Sequence, residues 1–286
     1  MSQTNRLSAD FAHYSSALNR LSGVEVMHAS FYSHRFAPHL HDAWSIGAVV
    51  SGIQDNAADA HSNVIQEGQL VVTRPYRPHA GRALGTTPCQ YVMLYVSDAR
   101  LRQQAHALGL DDINLPANAI PDRPIAQRLI AFVFDLLNCE RSGSPADASL
   151  NEECGAILDE ILLRHGNHAN SDDDLYAHRY ERRLYNSLQH LQSHWNESVS
   201  LDELARRAAL SPAHFCRRFS QMYGLPPHRY QLVLRIVNAK RMLHDGEEIG
   251  RVALQAGFSD HSHFGRQFKS CFGFSPGQLT RKVADS

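Results

Sequence analysis

The 286-residue chain has little with which to build a covalent framework. Its five cysteines, Cys89, Cys139, Cys154, Cys216 and Cys271, are odd in number and form no CxxC pair. That argues against a disulfide scaffold or a zinc finger and fits a reducing cytosol. Long apolar runs are also missing. Trp44–Val50 is broken by Ser45 and Gly47, and Leu129–Phe134 is short. A membrane-spanning helix needs ~20 apolar residues, so no membrane partner is expected. The start, Met1-Ser-Gln-Thr-Asn-Arg6, has neither a basic stretch nor an apolar one, so no secretory signal is expected and the location reads as cytoplasmic. A net charge of −1 gives no overall excess of either sign. Hydrophobic residues nonetheless make up 43%, enough for real cores, and the length suggests two domains.

The near-neutral total hides an asymmetry. Residues 1–178 hold 12 Lys and Arg against 20 Asp and Glu, and residues 179–286 hold 16 against 9. The front is therefore −8 and the back +7. A basic domain of about a hundred residues can neutralise phosphates. Between the halves, Asn167-His-Ala-Asn-Ser-Asp-Asp-Asp174 is polar, acidic and without periodicity, and reads as a linker. The expected boundaries are 1–168, a linker at 169–180, and 181–286.

The basic half contains a repeat. Ala205, Ala208 and Ser211 recur 48 residues later as Ala253, Ala256 and Ser259. One added residue near His261 then makes the step 49. His214, Phe215, Arg217, Phe219, Gly224 and Pro227 fall on His263, Phe264, Arg266, Phe268, Gly273 and Pro276. Ser200-Leu-Asp-Glu203 has capping-box form and starts a helix with an apolar face at Leu201, Leu204, Ala205 and Ala208. Ser211 can cap a second helix, with Pro212 suited to its first position. Phe215, Phe219 and Met222 give that helix an inner stripe, and Gly224 ends it. Each copy is thus a helix, a turn and a helix, at about 201–224 and 248–273, joined by a longer periodic helix over Leu232–Leu243.

At 100° per residue the positions opposite the inner stripes are Ala213 and Arg217 in the first copy, and Ser262 and Arg266 in the second. Both helices therefore turn one arginine outward at the same position. Arginine pairs bidentately with guanine in the major groove, or with phosphate. Arg207, Arg218 and Lys269 stand at flanks suited to backbone contacts. The plainer alternative is a pair of small helical motifs with solvated arginines. Duplication, outward arginines and a +7 charge together favour DNA.

The stretch Ile249-Gly-Arg-Val-Ala-Leu-Gln-Ala-Gly-Phe-Ser-Asp-His-Ser-His-Phe-Gly-Arg-Gln-Phe-Lys-Ser-Cys-Phe-Gly-Phe-Ser-Pro276 resembles the signature of the AraC family of bacterial transcription regulators, and Leu201–Tyr230 resembles that family's first helix-turn-helix. The resemblance covers roughly residues 181–282. It implies seven helices, with two recognition helices in successive major-groove segments on one face of double-stranded DNA. By it, Ala213, Cys216 and Arg217 face bases in the first reader, and His261, Ser262, Gly265 and Arg266 in the second. Ala213, Cys216 and Gly265 hydrogen-bond weakly, so discrimination leans on the arginines, His261 and DNA shape.

The acidic half alternates and turns like a β-domain. Val24–Ala29, Trp44–Val50, Leu70–Thr73 and Gln90–Val96 are strand candidates, and Glu67-Gly68-Gln69 reads as a hairpin turn. The order resembles the cupin-like barrel that many AraC-type regulators use as a sensing domain, over about residues 20–100. His39 and His41 share one strand face, and with His79 they match three cupin ligand positions. No Glu follows the HxH, and Asp42 points to the opposite face, so no metal or other cofactor is expected. The favoured reading is a pocket for a small polar effector lined by His39, His41, Trp44, Arg74, His79, Tyr91 and Tyr95. Which strand face lines it stays open.

Two helices should follow the barrel, Ile125–Cys139 and Ala148–Arg164. In the second, Leu150, Cys154, Ile157 and Ile161 make a narrow seam. Packing on the barrel and self-association compete for it, and the resemblance favours a homodimer. The expected architecture is thus two-domain: an all-β cupin-like barrel with two helices, then an all-α domain of two helix-turn-helix motifs joined by a long helix. The expected function is an effector-controlled transcription regulator, an activator by preference, with RNA polymerase as a possible partner. It is not an enzyme. A metal-dependent cupin enzyme fused to a DNA-binding domain, or a regulator without an effector, are the alternatives.

Overall fold

Side-chain alternation builds the sheets of the first half. In the computed structural model, which describes residues 10–15, 21–58, 61–116, 119–142, 148–166 and 175–284, five strands pair in the order β1 (Phe11–Ser15), β2 (Val24–Phe31), β9 (Cys89–Ser97), β4 (Ala43–Ser51) and β7 (Leu70–Thr73). A second sheet orders β3 (Arg35–His39), β8 (His79–Leu84), β5 (Ile53–Ala58) and β6 (His61–Gln66). Register puts Val24 and Trp44 beside Val96, and Val26 and Ile46 beside Leu94. These residues form one continuous apolar face.

Two helices, α1 (Asp98–Ala107) and α2 (Arg123–Ser142), cover that face, and α3 (Ala148–His165) packs on both of them. Leu101, Leu129, Phe132, Val133, Ile157 and Ile161 join the strand residues in one buried core. This settles the seam on α3. Cys154, Ile157 and Ile161 are fully buried within their own chain, with Leu150 packed at the margin. The seam is therefore not available as a self-association surface, and the large apolar side chain that this helix exposes is Leu163. The sequence reading also missed α1 altogether.

Polar contacts join the helices. Asp122, ahead of α2, accepts hydrogen bonds from His165 Nε2 (3.0 Å), Arg164 Nη1 (3.2 Å) and the Ile125 backbone N–H (3.3 Å). Burial alone would raise its carboxyl pKa. The three donors and the Arg164 charge outweigh that and hold it below the usual carboxylate range. A group depressed in the folded state stabilises above its unfolded pKa, and this stabilisation disappears as pH falls through the folded value. Asp122→Ala should therefore cost about 1–3 kcal/mol at neutral pH. In urea denaturation, the gap to the unmodified protein should close as pH falls below about 4.

The basic half holds seven helices among the described residues: α4 (Leu175–Ser193), α5 (Leu201–Arg207), α6 (Pro212–Tyr223), α7 (Pro227–His244), α8 (Ile249–Gln255), α9 (His261–Phe272) and α10 (Pro276–Ala284). The chain divides into two compact units, one drawn mainly from residues up to 169 and one mainly from residues 170–286. The expected linker at 169–180 is corrected in part. Its residues 169–174 lie outside the described ones, but the chain is already helical at Leu175. Leu184, Leu188 and Leu191 are buried at helical spacing and bind α4 to its own unit.

The two turns of the repeat differ at their left-handed position. Gly257 ends the turn of the second copy with φ +77°, and Ala209 does the same job in the first with φ +54°. Alanine pays for this left-handed conformation in Cβ strain that glycine avoids. Ala209→Gly should raise stability by about 0.5–1 kcal/mol, net of the entropy glycine adds to the unfolded chain. A thermal melt with unchanged or lowered midpoint would contradict this.

Candidate nucleic-acid interface and effector site

The two repeat units converge on nearly identical helices. α6 and α9 are each 12 residues long. Ser211 Oγ caps α6 by accepting from His214 N (3.4 Å), and Asp260 Oδ1 caps α9 by accepting from His263 N (2.6 Å). The Asp260 cap was not picked out in the sequence, although its position before His261 signals one. Gly224 and Gly273 close the helices in the left-handed conformation, at φ +73° and +80°. Phe215 and Phe219 in α6, and Phe264, Phe268 and Cys271 in α9, are buried. Met222 is only half-buried, so the first inner stripe is narrower than its spacing suggested.

On the outer faces Ala213, Arg217 and Arg218 are exposed and Cys216 is half-buried. His261, Ser262, Arg266 and Lys269 are exposed in the second helix and Gly265 is half-buried. Arg217 lies between Phe215 and Phe219, and Arg266 between Phe264 and Phe268, so anchoring aromatics fix the direction of each arginine. Exposed arginines on two capped, aromatic-anchored helices can reach base edges or phosphates.

α7 is more than a connector. Arg235 Nε donates to Trp195 O (3.2 Å), Nη2 to Glu197 O (2.9 Å) and Nη1 to Gly257 O (3.3 Å). One guanidinium thus ties the loop before α5 to the turn of the second motif. A Cβ at Gly257 would approach that guanidinium carbon to 3.1 Å, a second reason for glycine there. Gln231 Nε2 adds a bond to Glu197 O (2.8 Å). This clamp was missed in the sequence, because a lone arginine inside a helix carries no local signature.

In the β-unit, register decides which strand face is which. Tyr91, Met93 and Tyr95 point away from the helix-covered face, together with Ser45, Gly47, Met27 and Thr73. His41 stacks toward Tyr95, with ring centroids 4.7 Å apart, and Tyr95 Oη lies 3.9 Å from Met27 Sδ. Ser45 is fully buried, and its Oγ has no hydrogen-bond partner among the described residues. Gly47 permits Met93 to lie across β4, since a Cβ would run into the Met93 sulfur. Burial also drives the Tyr91 phenol well above its ordinary pKa, aided by Tyr95, so it stays neutral.

His39 and His79 form a pair of their own. Both are buried, and their rings stand 4.4 Å apart. Burial lowers the His79 pKa, partly offset by the bond to Arg77 O, so the ring favours its neutral form. Two expected lining residues do not belong here. Trp44 faces the opposite way, into the helix-covered core, where its Nε1 donates to Asp98 Oδ1 (3.0 Å). Arg74 is exposed and donates to Asn114 Oδ1 and Leu115 O. Strand alternation explains both: Ser45, not Trp44, shares a face with Tyr95, and Arg74 lies beyond the end of β7. Glu67-Gly68-Gln69 does turn, with Gly68 at φ +83°, but it connects strands of different sheets and so is not a hairpin.

Comparison with known proteins agrees with this division. A family model described as an AraC-like ligand binding domain matches residues 21–158, and one described as a helix-turn-helix domain matches residues 204–282. The HTH-type transcriptional activator RhaS of Escherichia fergusonii is 36% identical over 249 residues, covering 85% of this chain and 87% of that protein. RhaS of Yersinia pestis (strain Pestoides F) is 26% identical over 254 residues, covering 87% and 90%. Among solved structures, an apo variant of ToxT from Vibrio cholerae superposes with a TM-score of 0.61 at 13% identity, covering 92% of this chain and 99% of that one, which is a likeness of fold. Among the described residues no helix is long and apolar enough to cross a membrane.

Proposed function

The chain belongs to the AraC-type family of helix-turn-helix transcription regulators, a DNA-binding unit joined to a ligand-binding unit, and from that premise we propose that it activates transcription when a small polar effector enters the β-unit. The carrying observation is the pair of matched helices α6 and α9, each turning an arginine outward between two buried phenylalanines. Arg217 and Arg266 read bases. Cys216, His261 and Ser262 add weaker contacts, and Ala213 and Gly265 leave room for the groove wall. Arg218 and Lys269 hold phosphates.

The effector contacts His41, Ser45, Tyr91 and Tyr95. A buried hydroxyl with no partner is costly, and a polar ligand would relieve that cost. Activation by relatives of similar length and organisation supports the activator reading, with RNA polymerase as the further partner. The protein acts as a homodimer, through surfaces other than the spent seam of α3.

Effector and DNA must be linked, each changing the affinity for the other equally. A thermal-shift screen of the full-length protein against small hydroxylated and carboxylated metabolites tests the reading. A true effector at ~100 times its dissociation constant should stabilise by about 2.7 kcal/mol and shift DNA affinity. A ligand that stabilises without changing DNA affinity counts against effector control. Light scattering at micromolar concentration should give the mass of two chains.

A further inference from the structure

We infer that the effector is a small amphipathic alcohol or phenol, with one uncharged hydroxyl head and an apolar body, and that the β-unit selects it against carboxylic acids and sugars. This rests on the effector reading above and narrows it to a chemical class. Strand register sorts the side chains of the face away from the helices into rows. Pairing of β2, β9, β4 and β7 sets Glu25, Tyr95, Ser45 and Thr73 side by side. The next row is Met27, Met93, Gly47 and Val71, and beyond it come Ala29, Tyr91 and Val49. Residues opposite one another on paired strands share a face, so each row is a line across one surface. The first row is polar throughout. The others are apolar but for the Tyr91 phenol.

The rows differ in what they can receive. Ser45 is completely buried, and its Oγ has no partner among the described residues. Its neighbours on either side, Thr73 and Tyr95, are buried too. A ligand hydroxyl both donates and accepts, so it can satisfy Ser45 Oγ whichever way that proton turns. The His41 ring, with its centroid 4.7 Å from that of Tyr95, adds a nitrogen to the same end. A hydroxyl can pair with it whether that nitrogen donates or accepts. In the second row Met93 is half-buried although its strand is central, whereas Met27 and Val71 are buried. Gly47 adds no side chain beside it. The middle of this row is therefore the reachable part of the face. Its thioethers adapt to an aromatic ring or an alkyl chain.

Charge decides against acids. Among the described residues these rows contain no Lys or Arg, and their one carboxylate is Glu25. An acid head at Ser45 would give up its water without a Lys or Arg to replace it, and would stand in the same row as Glu25. Sugars fail for a different reason. Hydroxyls beyond the head would lie over Met27, Met93 and Val71, where nothing can bond them.

The test measures binding to full-length protein by calorimetry with matched probes. These are benzyl alcohol and 1-hexanol, their acids benzoate and hexanoate, and the sugar xylose. The expected result is saturable binding of at least one alcohol, with its acid weaker by about 10-fold or more and xylose not bound. Ser45→Ala should weaken the alcohol by about 3- to 10-fold. The melting temperature of the unliganded variant should hold or rise, because the unpartnered hydroxyl is gone. A merely structural Ser45 would give the reverse, a lower melting temperature and unchanged affinity. Glu25→Gln should narrow the gap between alcohol and acid. If one variant does not fold, the other and Thr73→Val carry the test. Equal or tighter binding of an acid or of xylose overturns the inference and leaves effector control standing. Alcohol binding that is unchanged in every folded variant overturns it by placing the alcohol elsewhere. Failure of all the probes in folded protein overturns it as well, and the broader metabolite screen then decides separately whether effector control survives.

Discussion

Replacing Arg217 or Arg266 with alanine should cost about 1–3 kcal/mol each in binding to the cognate site, roughly a 5- to 150-fold loss. Both side chains are exposed, so neither change should lower the melting temperature by more than a degree or two. The loss should be selective. A bidentate contact to guanine is worth most on the correct base and little on random DNA. Arg217→Lys and Arg266→Lys sharpen the test. Lysine keeps the charge but not the fork, so it restores a phosphate contact and fails to restore a base contact. Equal losses on specific and random DNA, with rescue by lysine, would move both arginines to the backbone. The double variant should lose nearly all preference while retaining salt-sensitive residual binding through Arg218 and Lys269.

Arg235→Ala should have the second large effect, and on both stability and recognition. Its guanidinium supplies bonds to three backbone carbonyls, Trp195 O, Glu197 O and Gly257 O. Carbonyls left without a donor in a partly buried place cost about 1–3 kcal/mol. Losing the clamp also frees the second motif's turn from the loop before α5, so α9 should no longer be held in register with the first motif. Binding to a two-block site should fall more than binding to either block alone. Arg235→Lys should recover only part of this, because one ammonium cannot span three separated carbonyls. A variant that melts normally and binds the full site normally would show that α7 packing alone aligns the motifs.

How much of this was legible beforehand differs between the halves. The repeat could be read because helix caps, glycine stops and aromatic stripes are local signals, and each occurs twice. Ser211, Gly224, Gly273 and the phenylalanine pairs sit where their spacing put them. The β-unit was harder. β5 and β6 run Ile53-Gln-Asp-Asn-Ala-Ala58 and His61-Ser-Asn-Val-Ile-Gln66, and they invert the usual pattern. Asp55 and Asn56 are buried while Ile53 and Val64 are exposed. Asp55 can be buried because Arg82 pairs with it at 3.0 Å from the neighbouring strand β8, a partner no local pattern announces. β3 contains Pro38, which demotes a strand in any sequence reading. Trp44 and Ser45 show the other limit. Alternation says that they face opposite ways, but only the helices of the same unit decide which way is core.

The α3 seam carries a similar lesson. Apolar spacing of 4, 3 and 4 describes a stripe that must be covered, and it does not say by what. Here helices α1 and α2 of the same unit cover it. The helical start at Leu175 was hidden because the acidic, polar run before it looked continuous with the following residues.

The central claim is that two helices, α6 and α9, read DNA together. The most direct test incubates full-length protein with fragmented genomic DNA, recovers what is retained and sequences it. The account predicts two short conserved blocks centred about 10 bp apart, one helical turn, so that both readers address the same DNA face. A single block would contradict the paired reading. No enrichment by the full chain or by the fragment 175–286, even at low salt, would contradict DNA recognition itself.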